Sequence, residues 1–159
     1  MEDRSAYLDA LHFLARRELS VTELRNRLID REHDRDEIER AIEHLLETGK
    51  LDDARAAATY VRTALKVKGR GRLRIQRELS EMGIARDVAV QAIADAFGDV
   101  DERAQIAAAI RKKLHGQTKI ATPAEYARVY QFLMRQGFTP SAVSAVLRAK
   151  RRDAPDETL

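Results

Sequence analysis

Ile75-Gln76-Arg77-Glu78-Leu79-Ser80-Glu81-Met82-Gly83-Ile84 is the stretch on which the fold turns. Ile75, Leu79 and Met82 recur at the three- and four-residue spacing that puts apolar side chains on one side of a helix. Gly83 closes that helix, since glycine enters the left-handed conformation without steric cost, and Ile84 can pack back on it. The next helix, 86–97, turns Val88, Ala92, Ile93 and Ala96 inward. Counted from Ile75, Leu79 and Ile93 stand at offsets 4 and 18. The same offsets recur upstream in Leu24, Leu28 and Ile42, and downstream in Val129, Leu133 and Leu147. The last copy repeats the turn as well, in Gly137-Phe138. Successive copies are 51 and then 54 residues apart, a period that signals stacked supersecondary units.

Working outward, the rest of the chain reads as helices with chemical starts and stops. Tyr7, Leu8, Leu11, Leu14 and Ala15 make 4–17 an amphipathic helix. Ser20 with Glu23, and Asp34 with Glu37, have capping-box spacing, so further helices begin near Val21 and after Asp34. Gly49 ends the third helix. Asp52 or Asp53 caps a fourth, running to about Val67, and the fifth runs from about Arg70 to Met82. Asp99 and Glu102 start a seventh. Thr122-Pro123-Ala124-Glu125 combines a cap, proline at the first helical position and glutamate at the third, which starts an eighth. Thr139-Pro140 starts a ninth. The fold expected is all-α: three tandem three-helix repeats, 1–50, 51–98 and 99–150, then a charged, frayed tail, 151–159. Stacked repeats of this kind form an elongated, curved array, wider than the ~15 Å radius of gyration of a compact globule of this length.

Composition agrees. The chain has 159 residues, 44% hydrophobic but only 5% aromatic, with 7 glycines and 3 prolines, too few for the many turns of an all-β fold. It has no cysteine, which excludes disulfides, thiolate metal sites and a cysteine nucleophile. No apolar run approaches the ~18–20 residues of a membrane span, and Met1-Glu2-Asp3-Arg4 does not open like a signal peptide. A cytoplasmic protein is expected.

The search for catalytic chemistry returns no site. His12, His33, His44 and His115 lack zinc-site spacing. Asp30 to Asp36 is acidic enough to suggest calcium, but Arg35 occupies the loop-glycine position and Ala41 the bidentate-glutamate position. Asp52-Asp53 is explained by capping. Gly69-Arg70-Gly71 lacks the Gly-Lys-Ser/Thr ending of a phosphate loop, and no serine has a Gly-x-Ser-x-Gly context. The expectation is a protein that is not an enzyme and uses no cofactor or metal.

Charge is what remains. The net +3 conceals a segment, 54–77, with eight basic residues and no acidic one, while 1–53 carries nine basic and fifteen acidic. Such a block is an electrostatic footprint for a polyanion or an acidic partner. On a helical wheel Arg70, Arg74 and Arg77 fall opposite Ile75, Leu79 and Met82, so three guanidinium forks share an exposed face. Lys66 and Lys68 extend it, and Arg72 lies on its flank. Only Tyr60 lies near, so base stacking is not expected.

Gly71, Arg74, Ile75, Glu78, Leu79, Gly83 and Ile84 stand in register with the pattern Lys-x-x-Gly-x-x-Arg-Ile-x-x-Glu-Leu-x-x-x-Gly-Ile. The segment resembles the central motif of the RecX family of regulators of the RecA recombinase. Leu51-Asp52-Asp53 with Ala57, Tyr60 and Val61 is similar to a second family segment, Ala56 replacing its phenylalanine. Arg135-Gln136-Gly137-Phe138 resembles the family's Arg-Arg-Gly-Phe turn, and Tyr7, Leu8, Ala10, Leu11, Arg16 and Ser20 its first helix. The resemblance implies a protein that binds RecA and its filament on single-stranded DNA. It implies restraint of filament growth, ATP hydrolysis, strand exchange and the coprotease activity behind the SOS response. Lys66, Lys68, Arg70, Arg72, Arg74 and Arg77 would face RecA or the DNA backbone, the chain acting as a monomer. Two other readings stand beside it: a helix-turn-helix DNA-binding protein, and a helical scaffold that binds only protein.

Overall fold

The structure, a computed structural model, describes residues 4–117 and 119–152. Among these, all regular structure is helical: α1 (Ala6–Arg16), α2 (Val21–Asp30), α3 (Arg35–Glu47), α4 (Asp53–Lys66), α5 (Arg72–Glu81), α6 (Arg86–Phe97), α7 (Glu102–Lys113), α8 (Pro123–Gln136) and α9 (Pro140–Arg152). The chain divides into two compact units. Unit 1 comprises 1–62 and 76–95, and unit 2 comprises 63–75 and 96–159. The boundary passes through α4, α5 and α6, so the middle helices contribute residues to both.

The nine repeat residues are the centre of the packing. Leu24, Leu28, Ile42, Ile75, Leu79, Ile93, Val129, Leu133 and Leu147 are all buried. In unit 1, Leu24, Leu28 and Ile42 pack with Ala6, Ala10, Leu19, Ile38, Leu45 and Leu51. In unit 2, Val129, Leu133 and Leu147 pack with Ile106, Ile110, Phe138 and Val143. α6 has the expected bounds, but its buried stripe is Ala89, Ala92, Ile93 and Phe97, with Val88 and Ala96 only half-buried. The stripe keeps Ala92 and Ile93 and exchanges Val88 and Ala96 for Ala89 and Phe97, the bulkiest apolar side chain of the helix.

The three turns share one construction. The amide after the turn residue donates to the carbonyl five residues back: His33 to Leu28 (3.3 Å), Ile84 to Leu79 (3.0 Å) and Phe138 to Leu133 (3.4 Å). This is a Schellman closure, which needs a left-handed residue. Gly83 (φ 75°) and Gly137 (φ 94°) supply it in two turns, and Glu32 (φ 61°) in the first. The first turn also departs at the next position. His33 stands where the others have Ile84 and Phe138, and its Nε2 lies 2.7 Å from Oδ2 of the buried Asp9.

Helix starts also pair repeat with repeat. Ser20 Oγ donates to the Met82 carbonyl (2.6 Å) within unit 1. The Gly71 amide donates to the Gln136 carbonyl (2.8 Å) within unit 2. Ser20 and Gly71 each lie four residues before the first core residue of their repeat. Met82 and Gln136 each lie directly before the turn glycine of the next.

The capping signals are met with changes of partner. Ser20 and Glu23 form the full capping box. Asp34 caps α3, but Glu37 accepts from the Ala6 amide (2.8 Å) and so caps α1 instead. Asp52 caps α4 through the Arg55 amide (3.1 Å), while Asp53 accepts from the Val21 amide (2.8 Å) at the start of α2. α7 is capped by Asp101, not Asp99, and Glu102 holds the amide (2.8 Å) and hydroxyl (3.0 Å) of Thr139. α9 extends through Arg152, two residues into the expected tail; 153–159 lie outside the described residues.

Candidate partner-binding site

The basic segment begins where α4 stops. The Val67 and Lys68 amides both donate to the Thr63 carbonyl (2.9 and 3.2 Å), Gly69 takes φ 61°, and the Arg70 amide returns to the Ala64 carbonyl (2.9 Å). Arg70 therefore sits in the closing turn, and α5 begins two residues later than the spacing suggested. The helical wheel that aligned Arg70 with Arg74 and Arg77 does not apply to it.

Of the six expected contact residues, Lys66, Lys68, Arg70, Arg72 and Arg74 belong to unit 2 and Arg77 to unit 1. Lys66, Lys68, Arg72 and Arg77 are exposed; Arg70 and Arg74 are half-buried. The two half-buried arginines hold structure. The Arg70 carbonyl accepts from Gln105 Nε2 (3.1 Å). Arg74 lies against the α8–α9 turn so closely that a β-carbon on Gly137 would stand 2.3 Å from its Cβ and 2.4 Å from its amide nitrogen. Its Nη1 donates to the Arg135 carbonyl (3.3 Å). An exposed arginine face thus becomes, at Arg74, a packing contact that periodicity within α5 could not reveal.

The exposed part of the segment is not purely cationic. Val67 is 72% exposed between Lys66 and Lys68, and Leu73 is 45% exposed beside Arg72. Arg72 is held over the Phe97 ring, 5.0 Å from its centroid. Cations interleaved with unburied apolar side chains suit a protein surface, whose contacts combine charge with apolar anchors.

Further along the motif, Tyr60 Oη donates to Glu78 Oε2 in unit 1. Burial pushes the Glu78 carboxyl above its ordinary pKa, and the Glu81 charge adds to the shift.

The larger electrostatic feature escaped the sequence reading. By sequence, unit 1 carries 13 basic and 19 acidic residues, and unit 2 carries 16 and 7. By sequence 78–159 carries twelve basic and eleven acidic residues, a near balance that mixes the acids of α5 and α6, Glu78, Glu81, Asp87 and Asp95, with the cations of α7–α9. A window starting at Arg103 would have found the asymmetry. Unit 1 holds an open cavity of about 390 Å³ lined by Tyr7, Glu37, Arg40, Ala41 and His44, with Tyr7 edge-on to His44. Among the described residues no group of three His, Asp or Glu side chains could hold a metal, and no helix is long and apolar enough to cross a membrane.

Comparison with known proteins follows the repeat pattern. Models of the RecX first, second and third three-helix domains match residues 6–45, 52–93 and 101–147 in order. The chain is 39% identical to Regulatory protein RecX of Halorhodospira halophila over 144 residues, 91% of this chain and 87% of that one. It is 35% identical to that of Vibrio parahaemolyticus, covering 91% and 90%. Its fold is that of the crystal structure of RecX from Lactobacillus salivarius, with a TM-score of 0.68 over 92% of this chain and 95% of that one at 20% identity. With three domain models matched in sequence order and relatives aligned over nine-tenths of its length, the chain belongs to the RecX family.

Proposed function

We propose that this protein binds the RecA recombinase and its filament on single-stranded DNA and restrains filament growth. RecA's ATP hydrolysis, strand exchange and coprotease activity would fall with it. The observation that carries this is the succession of all three RecX domains, each with its buried core residues at offsets 0, 4 and 18. The relatives carrying those domains are named regulatory proteins, which favours a binding role without catalysis, in the cytoplasm where RecA acts.

The exposed residues Lys66, Lys68, Arg72 and Arg77, with Val67 and Leu73, are the contacts proposed for RecA. Arg70 and Arg74 position that segment. The chain acts as a monomer built of repeats 1–50, 51–98 and 99–150.

The test is RecA's single-stranded-DNA-dependent ATP hydrolysis with this protein added well below RecA's concentration. Strong inhibition is expected, because blocking filament growth does not require one molecule per RecA. No inhibition even at equal concentration would overturn the assignment.

A further inference from the structure

We propose that Arg27 and Arg31, held over the Phe13 ring in the first repeat, bind a phosphate monoester dianion, carried on a small molecule or on a phosphorylated side chain. The site is built from other helices than the proposed RecA contacts and stands or falls without RecA.

Arg27, in the last turn of α2, and Arg31, at its C-cap, are four residues apart, the spacing that makes two helical side chains neighbours. Both guanidinium groups lie over one ring of α1, that of Phe13, at 5.5 and 5.4 Å from its centroid. Phe13 and Arg27 are half-buried and Arg31 is exposed, so the pair rests on the fold and opens to solvent. Among the described residues neither guanidinium has a carboxylate within ion-pair distance.

The acids that the sequence places beside them are engaged elsewhere. Glu23, four residues before Arg27, has ion-pair spacing, but its Oε2 meets Arg17 Nη2 (2.9 Å) and its Oε1 accepts from the Ser20 amide (3.1 Å). Asp9, one turn before Phe13, is buried against His33 Nε2 (2.7 Å). Asp34, three residues past Arg31, accepts through Oδ2 from the Asp36 and Glu37 amides (3.1 and 3.4 Å) and so caps α3. Arg17, Arg25 and Arg55 have their charges matched by Glu23, Glu39 and Glu18; Arg27 and Arg31 keep theirs. An aromatic face orients a cation without cancelling its charge, so both side chains are partly ordered before an anion arrives, which lowers the cost of binding. Two like charges on one ring also repel, and an anion set against both offsets that repulsion.

Charge and shape select the ligand. A phosphate monoester carries a charge of about −1.5 to −2 at neutral pH and three terminal oxygens, enough to engage two guanidinium forks at once. A carboxylate has one charge and two oxygens. An extended polyanion would also meet Asp30, Glu32, Asp34 and Asp36, all exposed around Arg31, and their repulsion confines binding to one compact group.

The test is NMR of the whole protein labelled with nitrogen-15, following the arginine Nε–Hε signals as inorganic phosphate is added at neutral pH and constant ionic strength. Saturable shifts at Arg27 and Arg31 are expected, with acetate binding about tenfold more weakly. Arg31→Gln, at an exposed position, should weaken phosphate binding about tenfold, and Arg27→Gln/Arg31→Gln should abolish it. Arg40→Gln, exposed on α3, should leave it unchanged. Adenosine monophosphate and N-acetyl-O-phosphoserine amide then separate the sources: the one that binds more tightly than inorganic phosphate names the carrier, and equal affinities assign the site to the phosphate group alone. Shifts that grow without saturating, acetate as effective as phosphate, or wild-type affinity in Arg31→Gln would overturn the proposal. Oligothymidylate saturating the same two signals more tightly than any monoester would overturn it too, and give the pair to nucleic acid.

Discussion

Glu32, Gly83 and Gly137 occupy the same turn position under different constraints. All three are left-handed, a conformation that costs a side-chain-bearing residue about 1–2 kcal/mol. Gly83 and Gly137 are also crowded. A β-carbon on Gly83 would stand 2.2 Å from Thr22 Oγ1, and one on Gly137 2.4 Å from the Arg74 amide nitrogen. Glu32, by contrast, is exposed. Glu32→Gly should therefore raise stability by about 1 kcal/mol, read as a higher midpoint in urea. Gly83→Ala and Gly137→Ala should each lower it by about 1–3 kcal/mol from overpacking, in addition to the strain. Gly137→Ala should cost more, because the atoms it meets are the Arg74 backbone and the Cβ fixed to it, which cannot rotate away. Glu78 carries a different prediction. Its folded-state carboxyl holds a proton more tightly than it would in the unfolded chain. The resulting stability is present below the ordinary glutamate pKa of about 4.5 and is lost as pH rises through the folded value. Glu78→Gln removes that dependence. The difference in unfolding free energy between wild type and variant should therefore shift against the wild type as pH rises across the mildly acidic range; a constant difference would refute it.

Within α4–α5, two roles that look alike in sequence separate in space. Gly71 and Leu73 donate their amides to the Gln136 and Gly137 carbonyls (2.8 and 3.1 Å), so the first turn of α5 is satisfied by the α8–α9 turn. Those donors are engaged within the fold. Arg74 continues the contact, whereas Lys66 and Lys68 extend from the end of α4. Arg74→Ala should lower stability by about 1–2 kcal/mol through lost packing and a lost hydrogen bond. Lys66→Glu/Lys68→Glu should leave stability within about 0.5 kcal/mol while weakening RecA inhibition. Urea denaturation and the ATPase assay on the same variants check both. Equal loss of stability in the two would remove the distinction.

Across the whole molecule the net charge of +3 is the small remainder of two opposed distributions. Unit 1 is acidic, with Arg17, Arg25 and Arg55 paired to carboxylates and Arg27 and Arg31 over the Phe13 ring, and unit 2 is basic, with Arg72, Lys113 and Arg151 over aromatic rings. A protein charged in this way should associate with a polyanion through one unit and fall away steeply as salt screens it.

Helix content, the repeat and the buried triads were determined by the sequence alone. Each depends on local periodicity or on a cap within four residues, and such signals are carried by neighbours along the chain. The family resemblance was legible for the same reason: Gly71, Arg74, Ile75, Glu78, Leu79, Gly83 and Ile84 keep their register. Only the tertiary structure decided which partner each capping group takes. Glu37, Asp53 and Glu102 had the right spacing for their own helices and bond instead to Ala6, Val21 and Thr139, since orphan amides of another helix lay within reach. It also decided that Arg70 and Arg74 are held in the joint while Lys66, Lys68, Arg72 and Arg77 are exposed. The charge difference between the two units was hidden in the sequence for the same physical reason: a compact unit is assembled from distant segments, and its field is the sum over space, not over consecutive residues.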